Sequence, residues 1–157
     1  MQTGPLLDEA YVAAGKVVKV FRNFPLTSIH PNAMPAAKAA HCAGQQDPKL
    51  FWSLHDWLFA NLGVWSNAAN AADQFRKQAL ALGVNSAQYD GCVQDARTEA
   101  LIQRDLQEGA SQGVRGTPAF LLVRVNAQGQ TQTTRNLSGA LPFDQFAQAI
   151  QELLAAQ

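Results

Sequence analysis

The placement of strand-forming residues limits what this chain can fold into. Lys16-Val17-Val18-Lys19-Val20-Phe21-Arg22-Asn23-Phe24 is rich in β-branched and aromatic residues and closes at Pro25, which predicts a strand. Comparable stretches return only at Pro118–Val125 and Gln132–Leu137. Asn126-Ala127-Gln128-Gly129 supplies turn residues between those two, so they predict a β-hairpin. A two-stranded hairpin is only marginally stable by itself in water. One early strand, a long helical stretch and a late hairpin therefore make an awkward complete fold.

The intervening sequence is helical in pattern. Leu6, Leu7, Ala10 and Tyr11 recur at helical spacing and stop at Gly15, a natural residue just past a helix end. Ser28 and Pro31 predict the start of the next helix, which runs through the alanine-rich Asn32–Ala43 to Gly44. Pro48–Asn61 places Phe51, Leu54, Leu58 and Trp57 on one stripe. Further helices are predicted over Ala71–Leu82, over Ser86–Ala96 with Ser86 as N-cap, and over Thr98–Gln112. Pro142 opens a last helix whose apolar face is Phe143, Phe146, Ile150 and Leu153. No repeat, low-complexity tract or linker-like segment breaks this order.

Composition narrows the classes of function. With 157 residues, 47% apolar and 15% charged, the chain is long enough for one domain with a sizeable core. Twelve basic residues balance twelve acidic ones without blocks of either sign, so charge gives no support to nucleic-acid binding or polybasic membrane attachment. The apolar stretches fall well short of the ~20 residues a membrane span needs. No basic region followed by an apolar one opens the chain as a signal peptide would. Three scattered histidines and two distant cysteines do not form a zinc pattern.

Four segments together resemble the DsbA-like branch of the thioredoxin superfamily. The first is Phe21-Arg22-Asn23-Phe24-Pro25-Leu26 followed by Ile29-His30-Pro31-Asn32-Ala33. Next come Ala36-Ala37-Lys38-Ala39-Ala40-His41-Cys42-Ala43, Phe51-Trp52 and His55-Asp56-Trp57-Leu58-Phe59. Gly113-Val114-Arg115-Gly116-Thr117-Pro118-Ala119-Phe120 and Ser138-Gly139-Ala140-Leu141-Pro142-Phe143 complete the match. The resemblance implies an α/β thioredoxin-like fold with a helical insertion over 31–112, the fold proper being residues 1–30 and 113–157 of a single domain.

What the family has and these residues lack is the active-site Cys-x-x-C. In DsbA-like proteins it opens the helix just ahead of a segment like Gly15–Pro25. The resemblance therefore implies a chain truncated at its N-terminus, starting inside that helix at Met1-Gln2-Thr3-Gly4-Pro5-Leu6-Leu7, with the first strand missing. A disulfide oxidant needs a low-pKa thiolate at a helix N-terminus and a second cysteine to resolve the mixed disulfide. The family's activity, thiol–disulfide exchange on extracytoplasmic proteins, is accordingly expected to be absent from this chain alone. No cofactor is expected.

By resemblance, Arg115, Gly116, Thr117 and Pro118 form the loop that faces the active cysteines, with a cis Thr–Pro bond, and that pairs with extended substrate. The implied partners are unfolded or extended polypeptides and a membrane redox partner for reoxidation, and the implied location is periplasmic or extracytoplasmic. His30 is expected on the same face of the fold, where it either tunes a thiolate, touches substrate or simply shapes the turn beside Pro31. Cys42 and Cys92 correspond to positions that related proteins join by a structural disulfide, with free buried thiols or a redox-active pair as the alternatives. The cluster Phe51, Trp52, Trp57, Phe59 and Trp65 reads as core of the insertion, with Trp65 a candidate for exposure along a polypeptide groove. His41 and His55 read as structural. Two other functions remain compatible with the sequence: a redox-inactive peptide-binding module, and a relative of the kappa-type glutathione transferases and isomerases.

Overall fold

A computed structural model describes residues 3–155. Met1 and Gln2, part of the expected helical start, lie outside them. The chain divides into two compact units, Arg22–Gly113 and the combined segments 1–21 and 114–157.

The unit Arg22–Gly113 is helical: α2 (Ala33–Gly44), α3 (Pro48–Ala60), α4 (Leu62–Trp65), α5 (Ala71–Ala81), α6 (Ser86–Gln94) and α7 (Ala96–Ser111). Its core forms around α2, whose Ala36, Ala39, Ala40, Cys42 and Ala43 are buried together with Leu54, Leu58, Trp65, Phe75, Ala79, Val84 and Tyr89. Alanine on the buried face lets neighbouring helices approach without side chains in between. Close approach also accounts for Gly44, where a Cβ would lie 2.9 Å from the Cβ of Phe51. Helix starts follow local chemistry. The Asp47 carboxylate accepts from the Lys49 N–H ahead of Pro48, and the Asp95 carboxylate accepts from the Arg97 N–H.

Three expected starts differ. α7 begins at Ala96 rather than Thr98. Asn85, not Ser86, caps α6, its side-chain oxygen accepting from the Gln88 N–H at 3.0 Å. α2 begins at Ala33, after the turn that holds Ser28 and Pro31. Asn32 at that start spends its amide elsewhere, donating to the carbonyls of Trp65, Ser66 and Ala68 at 3.0, 3.1 and 3.0 Å. That side chain pins the α4–α5 connection to the head of α2.

The second unit contains α1 (Thr3–Leu7), a π-helical continuation (Asp8–Val12), β1 (Ala119–Val125), β2 (Thr131–Ser138) and α8 (Phe143–Ala155). The first helix ends at Gly15, whose φ of 68° is left-handed and suits glycine. β1 and β2 pair antiparallel from Ala119↔Ser138 to Arg124↔Thr133, with an irregularity before Val125↔Thr131. α8 packs its apolar face on the hairpin and on the π-helical continuation of α1, through Phe146 edge-on to Phe120 at 4.7 Å and Phe143 against Tyr11 at 6.4 Å.

The expected strand Lys16–Phe24 has no regular secondary structure and joins no sheet, since the described sheet consists of β1 and β2. β-branched residues favour extended backbone, whereas a ladder also requires a neighbour with free backbone groups. Val18 and Val20 are accordingly 86% and 68% exposed. Toward its end the segment is held by one side chain: Asp105 on α7 accepts from the backbone N–H and the amide of Asn23 and from the Arg22 guanidinium.

Candidate functional site

The loop entering β1 carries the site residues expected from sequence. Arg115, Thr117 and Pro118 are exposed and Gly116 is half-buried. The Thr117–Pro118 peptide bond is cis. The Pro118 carbonyl accepts from the Gly139 N–H at 2.8 Å, which ties the end of the loop to the residue after β2. Among the described residues, the N–H and C=O groups of Arg115, Gly116 and Thr117 form no backbone hydrogen bond. The loop thus presents three consecutive peptide groups on a fixed base, the arrangement an extended chain needs for main-chain pairing.

Cys42 and Cys92 are bonded to each other, S–S 2.04 Å, with Cα atoms 5.7 Å apart. The bond joins α2 to α6 inside the helical unit. Cys42 is 1% exposed and Cys92 half-buried. Beside it the Thr98 hydroxyl donates to the Cys92 carbonyl at 2.8 Å, satisfying a polar group that burial would otherwise strand. Neither sulfur is a free thiol, so this pair offers no nucleophile while the bond is intact.

His30 lies exposed in the turn before α2, where its N–H donates to the Leu26 carbonyl and its carbonyl accepts from Ala33. It belongs to the helical unit and the Arg115–Pro118 loop to the other. His41 and His55 sit half-buried on α2 and α3. The His55 ring packs among Phe51, Trp52 and Phe59 and contacts the Asp56 carboxylate at 2.9 Å.

The aromatic cluster is less central than its composition implies. Trp65 is buried rather than exposed; its indole N–H donates to the Leu58 carbonyl at 2.8 Å, and its ring stands edge-on to Phe75. Phe51, Trp52 and Trp57 are half-buried, and Phe59 is 55% exposed. A single tryptophan with a satisfied N–H therefore fills the core, while the others form its outer flank.

Arg76 and Asp90 form a two-pronged pair at 2.7 Å across α5 and α6. Hydrogen bonding to Arg76 holds the Asp90 carboxyl below its ordinary value. Next to it, burial pushes the Tyr89 phenol up to about 12. Among the described residues no three His, Cys, Asp or Glu side chains are grouped to hold a metal ion.

The Thioredoxin family matches residues 2–150. This chain belongs to the thioredoxin family. Its fold is DsbA-like. α-DsbA1 of Wolbachia pipientis superposes with a TM-score of 0.73 at 19% identity, covering 95% of this chain and 74% of that one. A threonine-to-valine variant of the same protein gives 0.70 at 21% identity over the same shares. These likenesses establish a shared fold. Two curated relatives are named as antiporters: Na(+)/H(+) antiporter NhaA 3 of Salinispora tropica, 32% identical over 121 residues, and NhaA 1 of Salinispora arenicola, 31% identical over 121. The alignment covers 77% of this chain but 18% of either relative, so the chain spans under a fifth of their length. Among the described residues no helix is long and apolar enough to cross a membrane.

Asn32 and Asp105 organise the helical unit, and neither role was legible in the sequence. Each acts on partners distant in sequence, Trp65–Ala68 for Asn32 and Arg22–Asn23 for Asp105. A lone asparagine before a helix signals a cap, and nothing local signals three carbonyl acceptors.

Proposed function

We propose that this chain is the polypeptide-recognising body of a thiol–disulfide oxidoreductase, and that it performs no exchange with its own two cysteines. The single observation carrying this reading is the disulfide between Cys42 and Cys92, with Cys42 1% exposed. Exchange begins when a thiolate attacks a disulfide sulfur and ends when a nearby thiol resolves the mixed disulfide. While bonded, neither sulfur can attack a substrate disulfide, and with Cys42 1% exposed the bond is shielded from an attacking substrate thiolate. A Cys-x-x-C, the pair on which such exchange rests, is not among these 157 residues.

Recognition is assigned to Arg115, Gly116, Thr117 and Pro118. Their unpaired peptide groups suit an extended polypeptide, and Arg115 adds a cation that favours acidic or carboxylate-bearing segments. His30, in the helical unit, is a further residue we assign to substrate contact. An extracytoplasmic location agrees with a formed disulfide, because such bonds persist in oxidising compartments. A membrane redox partner for reoxidation belongs to the same reading.

The test is a titration of the labelled chain with an unstructured, cysteine-free peptide, followed by amide chemical shifts. The reading expects changes concentrated at Arg115, Gly116, Thr117 and Ala119, weakened by Arg115→Ala. Shifts confined to the α3–α4 flank, or none at saturating peptide, would overturn it.

A further inference from the structure

The recognition loop and the end of β2 meet at one residue pair. Pro118 and Gly139 lie one step beyond the paired residues Ala119 and Ser138, where an antiparallel ladder places two hydrogen bonds. Only one can form. The Gly139 N–H donates to the Pro118 carbonyl at 2.8 Å, and proline has no N–H to give in return. The Gly139 carbonyl accepts from the Leu141 N–H at 3.0 Å instead, and the Leu141 carbonyl accepts from the Thr3 hydroxyl of α1 at 3.3 Å. Ahead of Pro118, Arg115, Gly116 and Thr117 have no backbone partner among the described residues. The Gly139 N–H is therefore the backbone donor that fixes the β1 end of the loop.

Gly139 has a backbone conformation that a side chain opposes. Its φ is 88°, in the left-handed region. A Cβ placed there meets nothing within 4 Å, so the demand for glycine is one of torsion and not of room. An L-residue at 139 either keeps this φ under strain or relaxes it, and relaxation turns the N–H away from Pro118. We propose that Gly139 is a positioning residue for polypeptide recognition: its left-handed backbone aims the N–H that orients Arg115, Gly116 and Thr117 through Pro118. The inference rests on the assignment of recognition to that loop and adds a residue outside it. The strain on an alanine at such a φ corresponds to a factor of roughly 5–30 in the population of the oriented loop. Asparagine, though bulkier, tolerates the same φ through local hydrogen bonding of its side chain. Size and torsion thus rank the two substitutions in opposite order.

Nuclear magnetic resonance of the whole 157-residue chain tests the proposal. In the free wild-type chain, a scalar coupling is expected across the hydrogen bond, from the Pro118 carbonyl carbon to the Gly139 nitrogen. Gly139→Ala is expected to lower the order parameters of Arg115, Gly116 and Thr117, with circular dichroism and the amide exchange of β1 and β2 unchanged. Gly139→Asn is expected to restore most of that order. Affinity for an unstructured, cysteine-free peptide should fall roughly 5- to 30-fold in Gly139→Ala and by less in Gly139→Asn. The absence of that coupling in the wild type would overturn the proposal, even where a variant fails to fold. So would wild-type loop order or wild-type affinity in Gly139→Ala, or a greater loss in Gly139→Asn than in Gly139→Ala. Order lost equally from β1, β2 and the loop would make Gly139 a structural residue of the hairpin and overturn it too. Loop order lost in Gly139→Ala beside a wild-type chain that binds no peptide would uphold the positioning and sink the recognition reading instead.

Discussion

Removing the Cys42–Cys92 bond should cost this chain more than any single polar contact it contains. The cysteines are 50 residues apart in sequence, and the bond closes that loop in the unfolded chain as well as in the folded one. In the chain-entropy treatment, 2.1 + 1.5R ln 50 is roughly 14 cal/mol/K, or about 4 kcal/mol at 25 °C. Residual structure in the reduced unfolded chain lowers this figure, while the loss of the buried Cys42 sulfur in an alanine variant raises it. A loss of that size is a large share of the stability of an ordinary domain. The assay is urea unfolding of the oxidised chain, the reduced chain and Cys42→Ala/Cys92→Ala, followed by tryptophan fluorescence. All three tryptophans lie on α3 and α4, in the same unit as the bond, so this signal reports the helices that the disulfide ties together. The oxidised midpoint should exceed the other two by an amount equivalent to roughly 3–5 kcal/mol. Equal midpoints for oxidised and reduced chains would show that the bond is incidental and refute its role as the brace between α2 and α6.

Two further outcomes follow from buried polar groups. The Tyr89 phenol, pushed up to about 12, should titrate well above the ordinary value of about 10 in a Tyr11→Phe variant monitored by phenolate absorbance. Because its folded value is raised, its contribution to stability is complete below about pH 10 and is lost as pH rises through about 12; a transition at the ordinary value in the folded variant would contradict this. Asn32→Ala strips the carbonyls of Trp65, Ser66 and Ala68 of their donor and should destabilise the helical unit by about 1–3 kcal/mol in the same urea assay. A loss within a few tenths would mean that water replaces the amide at no cost.

The helices were legible because their signals are local. The Pro48 and Gly44 punctuation, the Leu54–Leu58 stripe and the Phe143–Leu153 face each lie within a few turns of chain. The hairpin was legible for the same reason, and so was the loop before it once Gly116-Thr117-Pro118 was set among the other family-like segments. The pairing of Cys42 with Cys92 came from resemblance, since spacing alone leaves free thiols equally open.

What escaped the sequence was set by partners at a distance. Val17–Phe24 has strand composition, but only an adjacent free edge could turn it into a strand. Trp65 looked available for a groove until the Leu58 carbonyl, seven residues back, gave its N–H a buried partner. Asn85 displaced Ser86 as the cap because both residue types suit that role and the backbone turns one position earlier.

The central claim, that this chain holds the recognition loop without a working thiol pair, is tested most directly by its redox activity. Insulin reduction and the oxidation of a dithiol peptide should be measured for the 157-residue chain beside Cys42→Ala/Cys92→Ala and buffer. The account predicts three indistinguishable rates, because the two cysteines cannot attack while bonded to each other and the burial of Cys42 shields their bond from an incoming thiolate. A rate for the wild-type chain well above both controls would contradict it and would make Cys42 and Cys92 a redox-active pair.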